Sequence, residues 1–226
     1  MQRFQPILSA LTMLSWLMLP AAALAQQPAT APAAGETLQI VAFGDSLSAG
    51  YGVNPGESFP EQLQTALRET GRDVAVANAG VSGDTTSGGL ARLEWSVPQD
   101  ADLVIVELGA NDALRGIAPQ ITERNLDQIL AMLQGRDQAV LLAGMMAPPN
   151  MGADYAADFD GIYKRLADKY DVALYPFFLD GVAAEPALNQ DDGMHPNAKG
   201  VAVIVARILP AVTEALDAIR AERGTG

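Results

Sequence analysis

The chain has 226 residues, which is room for one domain or two at most, and 14 lysines and arginines against 27 aspartates and glutamates give a net charge of −13. That acidity leaves nucleic-acid binding without an electrostatic basis, and the lack of any cysteine excludes disulfides, thiolate nucleophiles, lipid-anchoring cysteines and Cys-ligated metals. His195 is the single histidine, so metal sites built on several imidazoles are excluded and a histidine base has one candidate.

Residues 1–25 read as a secretory signal peptide. Arg3 opens it, Ile7 to Leu19 is apolar, and Ala23-Leu24-Ala25 forms an A-x-A cleavage site. The apolar run falls short of the ~20 residues a membrane span needs and stops at Pro20, which argues against a retained anchor. Such a leader predicts a periplasmic or secreted protein with no stable membrane anchor after cleavage. Residues 26–37 are rich in Ala, Pro and Gln and read as a flexible tether. Residues 38–220 read as one domain and residues 221–226 as a disordered tail.

Within the domain, apolar runs alternate with amphipathic ones. Leu38–Phe43 reads as a strand. Ser58–Thr70 reads as a helix, with Ser58 at its cap, Pro60 in its first turn and Gly71 at its end. Asp73–Asn78 is a second strand, and Thr86–Trp95 a helix weakened by Gly88 and Gly89. Asp102–Leu108 is the strongest strand. Pro119–Leu133 is a helix with Ile121, Leu126, Ile129, Leu130 and Leu133 on one face. Ala139–Ala143 is the fourth strand, Tyr155–Lys169 a helix and Val172–Tyr175 the fifth strand. A long loop, 176–196, leads to a helix over Asn197–Ile208, where Pro210 is expected to kink or break the continuation to Arg220. Strict alternation of strand and helix predicts an α/β fold: a flavodoxin-like three-layer α/β/α domain with a five-stranded parallel sheet in the order 2-1-3-4-5.

Three loops leave the C-terminal ends of neighbouring strands: Gly44-Asp45-Ser46-Leu47, Asn78-Ala79-Gly80-Val81 and Gly109-Ala110-Asn111-Asp112. Open α/β sheets bind ligands at that edge. A fourth loop, Asp191-Asp192-Gly193-Met194-His195, follows the fifth strand, and the chain before it is long enough to reach the other three. Singly these are turn residues and helix caps. Together they supply a serine esterase: Ser46 as nucleophile, His195 as its base, Asp192 to fix the imidazole, and the N–H groups of Ser46 and Gly80 with the Asn111 amide as an oxyanion hole. Gly193 permits the turn between Asp192 and His195. Gly80 has two readings, a backbone at positive φ or a residue whose lack of Cβ leaves room for the substrate oxygen. Asp191 competes with Asp192 as partner of His195, and Asp45 reads as a brace for its loop. Ser48 and Ser82 read as turn or supporting residues. Asp112 has two readings, orienting Asn111 or capping the next helix.

Gly44-Asp45-Ser46-Leu47 with Gly80, Gly109-x-Asn111-Asp112 and Asp192-x-x-His195 resembles the GDSL, or SGNH, hydrolases across essentially the whole mature chain. The longer stretches GDSLSAGYG, SGDTTSGGLARL, VELGANDALRG and DDGMHP are similar to a bacterial subgroup of acyl-CoA thioesterases, lysophospholipases and arylesterases. The resemblance implies hydrolysis of small acyl or aryl esters and thioesters without metal or cofactor. It carries Ser46, Gly80, Asn111, Asp192 and His195 into the roles given above. Met145, Met146 and Pro148 are candidate linings of an acyl pocket, with ordinary core and loop packing as the equal alternative. Two rivals remain: a carbohydrate acetylesterase of the same fold, and a non-enzymatic periplasmic ligand-binding protein. An α/β-hydrolase is disfavoured because Ser46 lacks the G-x-S-x-G surround. A dinucleotide site is disfavoured because the glycines of residues 50–56 are misspaced.

Overall fold

A computed structural model describes residues 37–224. The expected signal peptide and all but the last residue of the expected tether lie outside the described residues. The strands are β1 (Leu38–Gly44), β2 (Val74–Gly80), β3 (Leu103–Glu107), β4 (Ala139–Ala143) and β5 (Ala173–Tyr175). They form one parallel sheet in the order β2-β1-β3-β4-β5, as the alternation of elements predicts. β1 and β3 are buried almost throughout, while β2, on the sheet edge, is largely half-exposed. This accounts for the near-continuous apolar runs LQIVAF and LVIV, since a parallel strand covered on both faces has no polar side to show.

The helices are α1 (Ser46–Ala49), α2 (Phe59–Glu69), α3 (Thr86–Ser96), α4 (Ala110–Leu114), α5 (Pro119–Gln134), α6 (Ala153–Asp160), α7 (Ile162–Tyr170) and α8 (Ala198–Gly224). α2 and α8 pack together on one face of the sheet, and α3, α5 and α7 on the other. The start of α2 is set by Ser58, whose N–H and Oγ both donate to the Glu61 carboxylate, at 3.2 and 2.5 Å. Its first residue, Phe59, is fully buried and meets Phe178 edge-to-face at 5.0 Å. That contact fixes the beginning of the long segment that runs to His195.

Three local expectations differ from the structure. The single helix expected over Tyr155–Lys169 is two, α6 and α7, divided at Gly161. Glycine is a poor helix former, and the adjacent Asp160 carboxylate turns away to accept the Ala147 N–H at 2.8 Å. Pro210 does not end α8, which passes through it to Gly224. The carbonyl it orphans, that of Ala206, is on an exposed residue where water can bond it. Ile208, Val212, Leu216 and Ile219 continue the buried stripe across the proline, and their burial outweighs a local cost of about 3 kcal/mol. The expected tail after Arg220 is helical to Gly224, and Arg223 pairs there with Asp102 at the start of β3.

Candidate active site

The parallel register aligns Gly44 with Gly80 on one side and with Glu107 on the other. The three loops therefore leave the sheet at one level. Asp45 follows Gly44, is fully buried, and caps α1 by accepting the Leu47 N–H at 3.0 Å. Ser46 opens α1, and its Oγ lies 3.0 Å from His195 Nε2. His195 Nδ1 lies 2.6 Å from Asp192 Oδ2. An ionised carboxylate can only accept, so Nδ1 carries the proton and Nε2 accepts from the serine hydroxyl. Asp192 Oδ1 also accepts the backbone N–H groups of His195 and Met194, both at 2.9 Å. These bonds, that from the His195 backbone first, pull its carboxyl down to about 2 and keep it ionised. Gly193 takes φ +68° to make this turn. The imidazole partner is thus Asp192, with Asp191 outside the pair.

The three expected oxyanion donors stand differently. No hydrogen bond among the described residues uses the Ser46 N–H. One hydrogen of the Asn111 amide goes to Asp45 Oδ2 at 2.9 Å, which fixes the side chain and leaves its second N–H for a ligand. The Gly80 N–H donates to Asn78 Oδ1 at 2.9 Å, so a ligand oxygen must compete with that side chain. Of the two reasons expected for glycine at position 80, positive φ does not hold. An added Cβ would stand 2.2 Å from Ala49 N, so the backbone of α1 pressed against β2 is itself a reason for glycine here.

Two buried acids support the site from below. Glu107 Oε2 accepts Ser48 Oγ at 2.8 Å and Asp45 N at 3.3 Å, while its Oε1 has no partner. Burial, reinforced by the charge of Asp45, pushes the Glu107 carboxyl well above its usual range. Burial likewise pushes Asp45 up to about 6, against the pull of the Leu47 and Asn111 N–H groups. Asp45 has more donors to favour its charged form, so of the two acids Glu107 is the one whose ionisation burial opposes more strongly.

Other residues depart from the roles expected of them. Asp112 does not touch the Asn111 amide. It accepts Thr86 N at 2.8 Å, Thr86 Oγ1 at 2.5 Å and Thr122 Oγ1 at 3.2 Å, and so caps α3 and joins it to α5. Met145 belongs to the buried core and offers no wall to a substrate, while Met146 is exposed and Pro148 half-buried. Ser48 is a supporting residue as expected, and Ser82 is exposed. Sequence reasoning passed over Glu107, Tyr51 and Gln190. The Tyr51 ring lies 4.5 Å from the His195 ring, and Gln190 Nε2 donates to the carbonyls of Tyr51 and Pro196 at 2.7 and 2.9 Å. Gln190 thus ties the histidine loop to the loop after α1. Only Glu107 carried a signal, as a charge directly following the apolar run LVIV.

The raised carboxyl of Glu107 has a measurable consequence. In the unfolded chain a glutamate ionises near about 4.3, so folding takes up a proton above that pH. The stability this group contributes is complete below the unfolded value and is lost as pH rises through the folded one. Glu107→Gln cannot ionise in either state. Urea unfolding from pH 4 to 8 is expected to show the variant gaining on the wild type as pH rises, whereas two parallel curves would mean that Glu107 is ionised in the fold.

The GDSL-like lipase/acylhydrolase family pattern matches residues 42–203. An arylesterase of Vibrio mimicus is 43% identical over 159 residues, 70% of this chain and 80% of that one. The thioesterase 1/protease 1/lysophospholipase L1 of Escherichia coli is 43% identical over 166 residues, 73% of this chain and 77% of that one. Among solved structures, AlinE4, an SGNH-hydrolase family esterase, matches with a TM-score of 0.68 at 53% identity, covering 80% of this chain and 98% of that one. With the family pattern spanning all three sheet-edge loops and the histidine loop, the chain belongs to the GDSL-like lipase/acylhydrolase family of ester-hydrolysing enzymes.

Proposed function

We propose that this enzyme hydrolyses acyl thioesters and aryl esters, and lysophospholipids, through an acyl-enzyme on Ser46. The observation that carries the reading is the continuous chain from Ser46 Oγ through both nitrogens of His195 to Asp192, with steps of 3.0 and 2.6 Å. In the first half-reaction Ser46 Oγ attacks the carbonyl carbon as His195 Nε2 takes its proton. The carbonyl oxygen becomes an oxyanion, bonded by Ser46 N–H, Gly80 N–H and Asn111 Nδ2. Collapse expels the alkoxide or thiolate, which takes the proton from His195. Water then attacks the acyl group with His195 again as base, and Ser46 is regenerated with release of the acid. Asp192 stays ionised throughout and stabilises the imidazolium that forms in each half.

The substrate classes rest on the arylesterase and thioesterase relatives. Met146 and Pro148 at the surface beyond β4 are the remaining acyl-contact candidates. The place of action is the periplasm or the outside of the cell, supported by the leader-like residues 1–25.

A fluorophosphonate probe is expected to label the wild type and not Ser46→Ala. A panel of p-nitrophenyl esters should show activity kept beyond acetyl; activity confined to acetyl would favour a carbohydrate acetylesterase. Asn111→Ala should lower kcat by about 10²–10³-fold with KM little changed, because the amide meets the oxygen chiefly after it becomes an oxyanion. Full kcat in a folded Asn111→Ala enzyme on a chemistry-limited ester would remove Asn111 from the oxyanion hole. Intact mass of the exported protein should correspond to a chain beginning at Gln26, and a mass retaining Met1–Ala25 would refute cleavage.

A further inference from the structure

Arg92 projects from α3 and is only 6% exposed. A buried guanidinium must place its N–H groups on acceptors or destabilise the fold. One acceptor is the Asp84 carboxylate, 2.7 Å from Nε. The others are less ordinary. Nη1 donates to the Ala79 carbonyl at 2.8 Å and to Ser96 Oγ at 3.2 Å, and Nη2 donates to the Gly44 carbonyl at 2.8 Å. The guanidinium carbon sits 4.3 Å from the centre of the Phe43 ring. A side chain that only neutralised Asp84 would not need the ends of two strands.

The two carbonyls are significant by position. Ala79 O belongs to the same rigid peptide plane as Gly80 N, so a grip on the oxygen sets the direction of the N–H. Accepting a hydrogen bond at the carbonyl also polarises the peptide and makes its N–H a stronger donor. Gly44 O lies on the peptide that leads into Asp45 and then Ser46, and it also accepts the Val81 N–H at 3.0 Å. We propose that Arg92 is a positioning residue for the oxyanion hole, its guanidinium fixing the Ala79–Gly80 peptide and tying it to the strand end that carries Ser46. This rests on the oxyanion role proposed above for Gly80. Arginine suits the task because its planar fork presents separated donors in fixed directions, whereas a lysine ammonium is a single point.

The test compares wild type with Arg92→Lys, which keeps the charge and loses the fork. Active sites are counted by fluorophosphonate titration, and kcat is expressed per titrated site. A fall in kcat of about 10- to 100-fold is expected, with KM within about twofold. The affinity of an alkyl boronic acid, whose tetrahedral adduct places an oxygen in the hole, should fall in step with kcat/KM. A purely structural role would lower the melting temperature and the number of titrated sites without changing kcat per site, and that result overturns the inference. If Arg92→Lys does not fold, Asp84→Ala carries the test by removing the carboxylate that aims the guanidinium. It should lower kcat about three- to tenfold at constant KM, and an unchanged kcat overturns the inference. A wild type that neither labels nor binds the boronate overturns the Ser46 reading and the role of Arg92 with it. A wild type that does both, beside an Arg92→Lys enzyme of unchanged kcat per site, overturns the role of Arg92 alone.

Discussion

The register of β1 between its two neighbours is the constraint on which the site depends. Gly44 stands level with Gly80 and with Glu107, so the residues that follow each strand leave the sheet side by side. A slip of one residue would turn every side chain of β1 to the other face and set Ser46 out of line with Gly80 and Asn111. Ile40, Val41, Phe43, Val104, Ile105 and Val106 are all buried between the helical layers in this register. The sheet thus places three elements of the site side by side.

The polar contacts then refine what the sheet has placed. Asp45 takes the Leu47 N–H with one oxygen and the Asn111 amide with the other, linking the nucleophile loop to the third loop. Arg92 links the first loop to the second through main-chain carbonyls. Glu107 lies beneath the first loop, bonded to Asp45 N and Ser48 Oγ, where burial and the nearby Asp45 charge disfavour a second anion. His195 comes from far along the chain and lacks a sheet partner to locate it. Gln190 supplies the tie, through its bonds to Tyr51 O and Pro196 O, and Asp192 sets the ring. Every one of these groups acts on geometry that catalysis would need within a few tenths of an ångström.

Much of this was legible from the residues. Strand-length apolar runs separated by amphipathic stretches gave the sheet order, because right-handed crossovers leave few alternatives. Ser46, Asp192 and His195 could be paired because the chain has one histidine, and the resemblance to the GDSL motif selected Asp192 over the adjacent Asp191. What the sequence hid has physical causes. α1 and α4 are too short to show periodicity. Pro210 argued locally for a break that the buried stripe of α8 overrode. Met145 looked like a pocket wall because apolar character alone does not say which way a side chain faces. The hold of Arg92 on the two strand ends was invisible, since the acceptors there are carbonyl oxygens that every sequence possesses.

The central claim, a covalent acyl-enzyme on Ser46, is tested most directly by rapid quenching during turnover of a p-nitrophenyl ester chosen for slow deacylation, followed by intact and peptide mass spectrometry. A burst of nitrophenol of about one equivalent per active site is expected, with a matching acyl mass increment on the peptide containing Ser46. A linear onset without any adduct on such a substrate, or an acyl group mapped to another residue, would contradict it.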